Sequence, residues 1–260
     1  MLISSILFAT LLAGIGSVWL AAFLGYFALA RFNQHLLSLA AGALLSTAFM
    51  NLLPEAFEAA ATLNIEPHAL FTTLLVGLVF FFLLDKAELY HHGHEHHEHH
   101  AHEHHGHSHH GHDSAHGGSW AVLFGDSIHA FGDGVVIAAA FMANMHLGWA
   151  AALAVLAHEV PHHMGDLIVL GKNKRTALIK VTLAGTVTAI GGLAGYVLLA
   201  KLSGYLPYFL VVAGSSFIYV ALADLIPQLQ RRMSFAETLK QVTWLLAGMG
   251  LVMVVSQASH

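Results

Sequence analysis

Residues 150–170 read Ala-Ala-Ala-Leu-Ala-Val-Leu-Ala-His-Glu-Val-Pro-His-His-Met-Gly-Asp-Leu-Ile-Val-Leu. An apolar run of about 20 residues is what a helix needs to cross a bilayer. Inside it, His158, Glu159, His162, His163 and Asp166 can each bind a metal or carry a proton. On a helix, His158, His162 and Asp166 stack at i, i+4 and i+8 along one face. Ionisable groups at that density in hydrocarbon are expensive, and by default they mark a functional site.

The surrounding composition agrees with a membrane setting. Hydrophobic residues make up 57% of the 260-residue chain and charged residues 10%, with a mean hydropathy of +0.67. A water-soluble globule does not tolerate that balance. The chain has no cysteine, so disulfides and thiolate ligands are excluded. The first apolar run begins almost at Met1 with no Lys or Arg before it. It reads as a retained span, not a cleaved signal.

Eight spans are predicted, at roughly 2–28, 36–60, 69–90, 119–143, 148–171, 176–200, 206–229 and 239–257. They give an all-α polytopic membrane protein in four segments. Residues 1–90 hold helices 1–3, 91–118 a loop, 119–171 helices 4–5, and 172–260 helices 6–8. Arg31, Lys86, Lys172, Lys174, Arg175, Lys180, Arg231, Arg232 and Lys240 fall at alternate loops on one face, and only Lys201 on the other. Positive charge collects on the cytoplasmic side. Both termini are therefore expected outside the cytoplasm and the 91–118 loop within it, in an inner (plasma) membrane.

Spans 2 and 7 end alike. Residues 48–55 read Ala-Phe-Met-Asn-Leu-Leu-Pro-Glu and residues 221–228 read Ala-Leu-Ala-Asp-Leu-Ile-Pro-Gln. The two spans run in opposite directions, as an inverted repeat of spans 1–3 and 6–8 around spans 4 and 5 would produce, a 3+2+3 arrangement. Pro54 and Pro227 each lack an amide hydrogen and free a carbonyl four residues earlier, at Met50 and Ala223. The bland reading is a helix kink. The functional one is that Asn51, Glu55 and Asp224 line the two ends of a cation path, which Asp126 of span 4 would join.

Residues 91–116 contain 15 histidines, among them His91, His92, His94, His96, His97, His99, His100, His102, His104 and His105, interleaved with Glu95, Glu98, Glu103 and Asp113. So polar a segment cannot bury enough surface to offset its ordering entropy, and disorder is expected. Imidazoles alternating with carboxylates make a loose chelator for borderline divalent ions, suited to metal capture. The competing reading is a dispensable hydrophilic connector.

Span 4 carries Asp126-Ser-Ile-His129-Ala-Phe-Gly-Asp133-Gly134. His129 and Asp133, one turn apart, can hold one ion together. Gly132 and Gly134 would let a neighbouring helix approach with ligands of its own. Span 5, joined through a loop of about five residues, is the expected neighbour. Three chemistries fit. His158-Glu159-x-x-His162 is formally the H-E-x-x-H of zinc hydrolases, although Pro161 interrupts it and more ligands crowd the site than a catalytic zinc keeps. His129-x-x-x-Asp133 and His162-x-x-x-Asp166 are paired as in cation-diffusion-facilitator exporters, which typically have six spans and a soluble C-terminal domain.

The third is a resemblance that covers essentially the whole chain. His129-Ala-Phe-Gly-Asp133-Gly134 is similar to the His-Asn-x-x-Asp-Gly of the ZIP (Zrt/Irt-like) family of divalent metal transporters, and His158 to Asp166 to its His-Glu-x-Pro-His-Glu-x-Gly-Asp. The endings at Asn51-Leu-Leu-Pro-Glu55 and Asp224-Leu-Ile-Pro227 match as well, as do the eight spans and the loop between spans 3 and 4. The resemblance implies a transporter, not an enzyme, with no catalytic cofactor. It moves metal into the cytoplasm through a binuclear site between spans 4 and 5. Carried over by position, the first ion takes His129, Asp133, His158 and His162. The second takes the residue after His129 together with Glu159, with Asp133 and His162 able to bridge.

Three departures stand out. Ala130 replaces the usual Asn, His163 replaces a common Glu, and span 6 has no acidic side chain. The second ion thus loses a ligand, for which His163 or Asp166 is the available substitute. Nitrogen and oxygen donors without sulfur suit Zn, Fe, Mn, Co or Cd, and the converging imidazoles favour Zn. The expected partners are divalent metal ions, the lipid bilayer and a second copy in a homodimer, with no nucleic acid.

Overall fold

The computed structural model describes residues 1–26, 33–93, 117–169, 174–230 and 234–257, with the backbone alone at 25–26, 33, 87–93, 117–126, 166, 168–169 and 174. Among these residues there are eight helical rods and no strand. The first rod, α1, joins Leu2–Leu11, a π-helical turn Leu12–Gly16 and Ser17–Tyr26. Next, α2 joins Asn33–Thr47, the π turn Ala48–Leu52 and Leu53–Thr62, and α3 is Pro67–Gly93. Then come α4 (Gly117–Ala143), α5 (Met145–Val169) and α6 (Lys174–Lys201). After a 3₁₀ turn at Ser203–Tyr205, α7 joins Leu206–Tyr219, the π turn Val220–Leu225 and Ile226–Leu229, and α8 is Phe235–Gln257.

By length and composition α1, α2, α3, α6, α7 and α8 can each cross a membrane, and α4 contributes the shorter apolar stretch Ser127–Ala143. Large apolar side chains such as Phe80, Leu83, Leu183 and Val254 point outward on these rods, where hydrocarbon takes the place of a protein neighbour. The interior is built of small residues. Ala150, Ala151, Ala154 and Val155 of α5 are fully buried against the other helices. The chain is an all-α polytopic membrane protein.

The prolines of α2 and α7 act alike. A proline ring collides with the carbonyl four residues back in a regular helix. Here each ring follows a π turn, in which the bonds reach five residues back. The Leu53 N–H donates to the Ala48 carbonyl and the Ile226 N–H to the Ala221 carbonyl. These are the same positions of the two similar octets. The freed carbonyl is thus accommodated by a widened turn. Helix packing has a matching pattern. α1 packs on α5 as α4 packs on α6, and α2 packs on α8 as α7 packs on α3, while α1–α6, α2–α7 and α4–α5 are mutual pairs. Every one of these contacts survives exchange of 1 with 6, 2 with 7, 3 with 8 and 4 with 5, the pairing an inverted repeat requires.

Two local expectations differ from the structure. The connection between α4 and α5 is the single residue Asn144, shorter than the five-residue loop expected. Its side-chain oxygen accepts the His146 N–H at 2.9 Å, so Asn144 caps α5 and the helix starts at once. The glycines of α4 also serve another neighbour. A Cβ at Gly134 would strike the Thr188 carbonyl of α6, while nothing lies within 4 Å of such an atom at Gly132. Gly134 brings α6 close, and α5 reaches the site through the short turn instead.

Candidate metal centre

α4 and α5 emerge on either side of Asn144 and lie side by side, bringing His129 and Asp133 to the middle of one and His158 and Glu159 to the facing turn of the other. Asp133, His158 and Glu159 are almost wholly buried, at 3%, 3% and 2% exposure. The His129 side chain is 31% exposed and forms the open edge of the group.

Four atoms converge. His129 Nε2 lies 3.3 Å from His158 Nε2, 3.8 Å from Asp133 Oδ2 and 3.5 Å from Glu159 Oε1. His158 Nε2 lies 3.3 Å from both Asp133 Oδ2 and Glu159 Oε1. Zinc holds nitrogen and oxygen ligands at about 2.0–2.2 Å, so the edge of its tetrahedron is about 3.3–3.6 Å. The observed edges fall on or near that range.

Hydrogen bonding gives the atoms their roles. His158 Nδ1 is 3.2 Å from the Ala154 carbonyl, one turn earlier. A carbonyl can only accept, so Nδ1 carries the hydrogen and Nε2 presents a lone pair, the arrangement that orients metal-binding imidazoles. Asp133 Oδ2 and Glu159 Oε1 are buried and accept no hydrogen bond among the described residues. A proton on either histidine would relieve only some of these edges. One cation at the centre faces all four acceptors, and the residues fit it.

A second group adjoins the first. Ligand atoms of Glu159, His162 and His163 lie within 4.8 Å of one another, and His163 Nε2 is 2.9 Å from Glu159 Oε2. Glu159 therefore turns one oxygen to each group. His163 is buried at 1% exposure, whereas His162 is exposed and stacks its ring on that of His129, centroids 5.9 Å apart. The buried edge of α5 runs through His158, Glu159 and His163 and leaves out His162. The four-atom group accordingly holds Glu159 in the position that the resemblance gives to His162. Ala130 is buried and offers no ligand. α5 stays helical through Pro161 to Val169.

The other candidates stand apart from this centre. The Asn51 side chain accepts from Ser256 of α8 at 2.6 Å and donates to the Ser46 carbonyl five residues back, at 3.4 Å, which ties it to the π turn. Glu55 is half-buried one turn on. Asp224 is exposed and accepts from Gln228 at 2.8 Å. The side chains of Asp126, Asp166, His91 and His92 lie outside the described residues, as do His94, His96, His97, His99, His100, His102, His104 and His105 entirely. Sequence reasoning missed the contact with Ala154, because a main-chain carbonyl carries no signature in the residue type.

The chain is 32% identical over 142 residues to "Zinc transporter foi" of Drosophila melanogaster, a stretch covering 53% of this chain and 20% of that protein. It is 36% identical over 152 residues to "Zinc transporter ZIP10" of Mus musculus, covering 56% and 18%, and 36% identical over 138 residues to "Zinc transporter ZIP4" of the same animal, covering 51% and 20%. The match spans about a fifth of the length of these relatives. A family model described as "ZIP Zinc transporter" matches residues 1–118 and 86–256. Matched along nearly its whole length, the chain belongs to the ZIP zinc transporter family.

Proposed function

We propose that the protein carries divalent transition-metal ions, zinc foremost, across a plasma membrane into the cytoplasm by way of His129, Asp133, His158 and Glu159. The observation that carries this is the close set of four potential ligand atoms, two of them buried without a hydrogen bond, between adjacent helices of a membrane bundle. The neutral nitrogen and carboxylate donors match a borderline cation. The open edge at His129 gives the ion a way in, and a cargo site must release as well as bind. The family membership and the naming of relatives as zinc transporters support the same cargo. In this reading helices 1–3 and 6–8 flank the ligand pair, both termini face outward, and the His-rich loop at 91–118 collects metal on the cytoplasmic side. Asn51, Glu55, Asp126 and Asp224 lie along the route.

A second ion at Glu159, His162 and His163 is supported by the two-sided placement of the Glu159 carboxylate. His163 then supplies the ligand that Ala130 cannot. The His163→Ala variant is expected to bind one zinc fewer per chain than the wild type, and equal stoichiometry would remove the second position.

Transport itself is tested by uptake of radiolabelled zinc into proteoliposomes. Wild type should accumulate the ion, while His129→Ala and His158→Ala should fall to the level of empty vesicles. Undiminished uptake by both variants would refute the assignment. Net zinc export would favour a diffusion-facilitator exporter, and cleavage of a membrane substrate that Glu159→Gln abolishes would favour a protease.

A further inference from the structure

A groove of about 500 Å³ opens between α1 and α6 on the outside of the bundle. Its walls are apolar, with Ile179 and Leu183 of α6 on one side and Trp19 of α1 on the other. Trp19, Ile179 and Leu183 are 55%, 58% and 67% exposed among the described residues. Arg175, in the first turn of α6, forms one end of the groove and Thr186 belongs to the other part of its wall.

The dimensions point to one occupant. From Arg175 to Thr186 a helix advances about 16 Å, close to half of the roughly 30 Å hydrocarbon thickness. The groove therefore spans one leaflet, from the surface where α6 begins to the bilayer midplane. Arg175 is exposed and forms no ion pair among the described residues. It is preceded in sequence by Lys172 and Lys174. The Thr182 side chain contributes to the wall, with its hydroxyl oxygen buried and without a hydrogen-bond partner among the described residues. Most helical threonines here, such as Thr10 and Thr47, instead bond back to the preceding turn. An unpaired guanidinium at the mouth of an apolar slot suits a phosphate.

We propose that this groove is a binding site for one anionic phospholipid, its phosphate on Arg175 and an acyl chain along Ile179 and Leu183. Basic pockets between helices recognise anionic headgroups in this way. None of the candidate metal ligands lines the groove, and the inference does not depend on which ion is carried or in which direction.

The test uses Trp19 as the reporter. The full chain is reconstituted in vesicles of mixed phosphatidylcholine and phosphatidylglycerol, with bromine on the acyl chains of one lipid or the other. Quenching at Trp19 is isolated by subtracting the Trp19→Phe variant. Wild type is expected to select the brominated phosphatidylglycerol about fivefold over its bulk fraction, equivalent to roughly 1 kcal/mol for one basic side chain at an anionic surface. Arg175→Ala should lose the selection and Arg175→Lys should keep most of it, with Arg175→Gln in reserve if the alanine variant fails to fold. Equal quenching by the two lipids in the wild type would mean annular lipid only and would overturn the proposal. So would selection that survives Arg175→Gln, or protection of Trp19 from both lipids, the sign of a second copy covering this face.

Discussion

Replacing Glu159 by Gln separates what the carboxylate does for a bound ion from what it does for the fold. The substitution keeps the shape of the side chain and one accepting oxygen but removes the charge. Without metal, two effects oppose each other. The 2.9 Å contact with His163 loses its ionic character, worth roughly 1–2 kcal/mol. The buried Oε1, which accepts no hydrogen bond among the described residues, no longer costs the desolvation of a charge. The metal-free Tm should therefore move by only a few degrees. With metal the effect is one-sided. Loss of a mere supporting partner costs about 10–100-fold in metal affinity, so loss of a direct ligand 3.3 Å from one imidazole nitrogen and 3.5 Å from the other should reach at least about 100-fold. At a zinc concentration about 100 times the wild-type Kd, binding stabilises the protein by about 2.7 kcal/mol, and a 100-fold weaker site retains about 0.4 kcal/mol. At about 2–4 °C per kcal/mol, a zinc-induced rise of about 5–10 °C shrinks to about 1 °C. Thermal unfolding in detergent with and without zinc measures both numbers. A Glu159→Gln protein that keeps the full zinc-induced rise would refute the placement of Glu159 in the four-atom group.

Zinc binding should weaken as pH falls from about 7.5 to 5.5, because imidazole ligates only as the neutral base and protons compete for the same lone pairs; calorimetric titration across that window should show Kd rising by up to about tenfold per pH unit for each displaced proton. Gly134→Ala should destabilise the bundle by roughly 1–3 kcal/mol, because the new methyl meets the Thr188 carbonyl of α6; an unchanged Tm would show that α4 and α6 can part freely. Ser256→Ala removes the 2.6 Å bond from α8 to Asn51 and should cost about 1 kcal/mol, visible as a lower Tm with zinc affinity untouched. Deletion of residues 94–116 should alter the apparent affinity for zinc in uptake assays but leave transport running, and a deletion protein without transport would refute the capture role of the loop.

Much of the architecture was legible because a bilayer imposes long apolar runs, and runs of that length survive any uncertainty about their ends. The candidate cluster was legible for a similar reason, since His129, Asp133, His158 and Glu159 are costly anywhere in hydrocarbon unless something pairs with them. Their arrangement was less so. Helical stacking put His158 with His162 and Asp166, yet the buried edge passes through His158, Glu159 and His163. Which edge of a helix turns inward depends on the tilt and roll set by its neighbours, here the contact of α5 with α1, α2 and α4. The loop after α4 was misjudged in length because a lone Asn144 can both end one helix and cap the next. Gly134 was assigned to the wrong neighbour because a small residue shows that some backbone comes near, but not which one.

The paired π turns of α2 and α7 alter the geometry of everything that follows them in their rods. A π turn holds one residue more than the α turn it replaces, and one residue in an α-helix is about 100° of rotation. A helical wheel drawn without interruption through Ala48–Leu52 would thus set Glu55 about a quarter-turn from its true azimuth, and one drawn through Val220–Leu225 would do the same to Gln228. Deleting a single residue from either turn would restore regular winding and swing the end of that rod around its axis, even though no other amino acid had changed. These two short segments act as phase shifters, and with the extra residue at the same place in both octets, the ends of α2 and α7 are rephased alike.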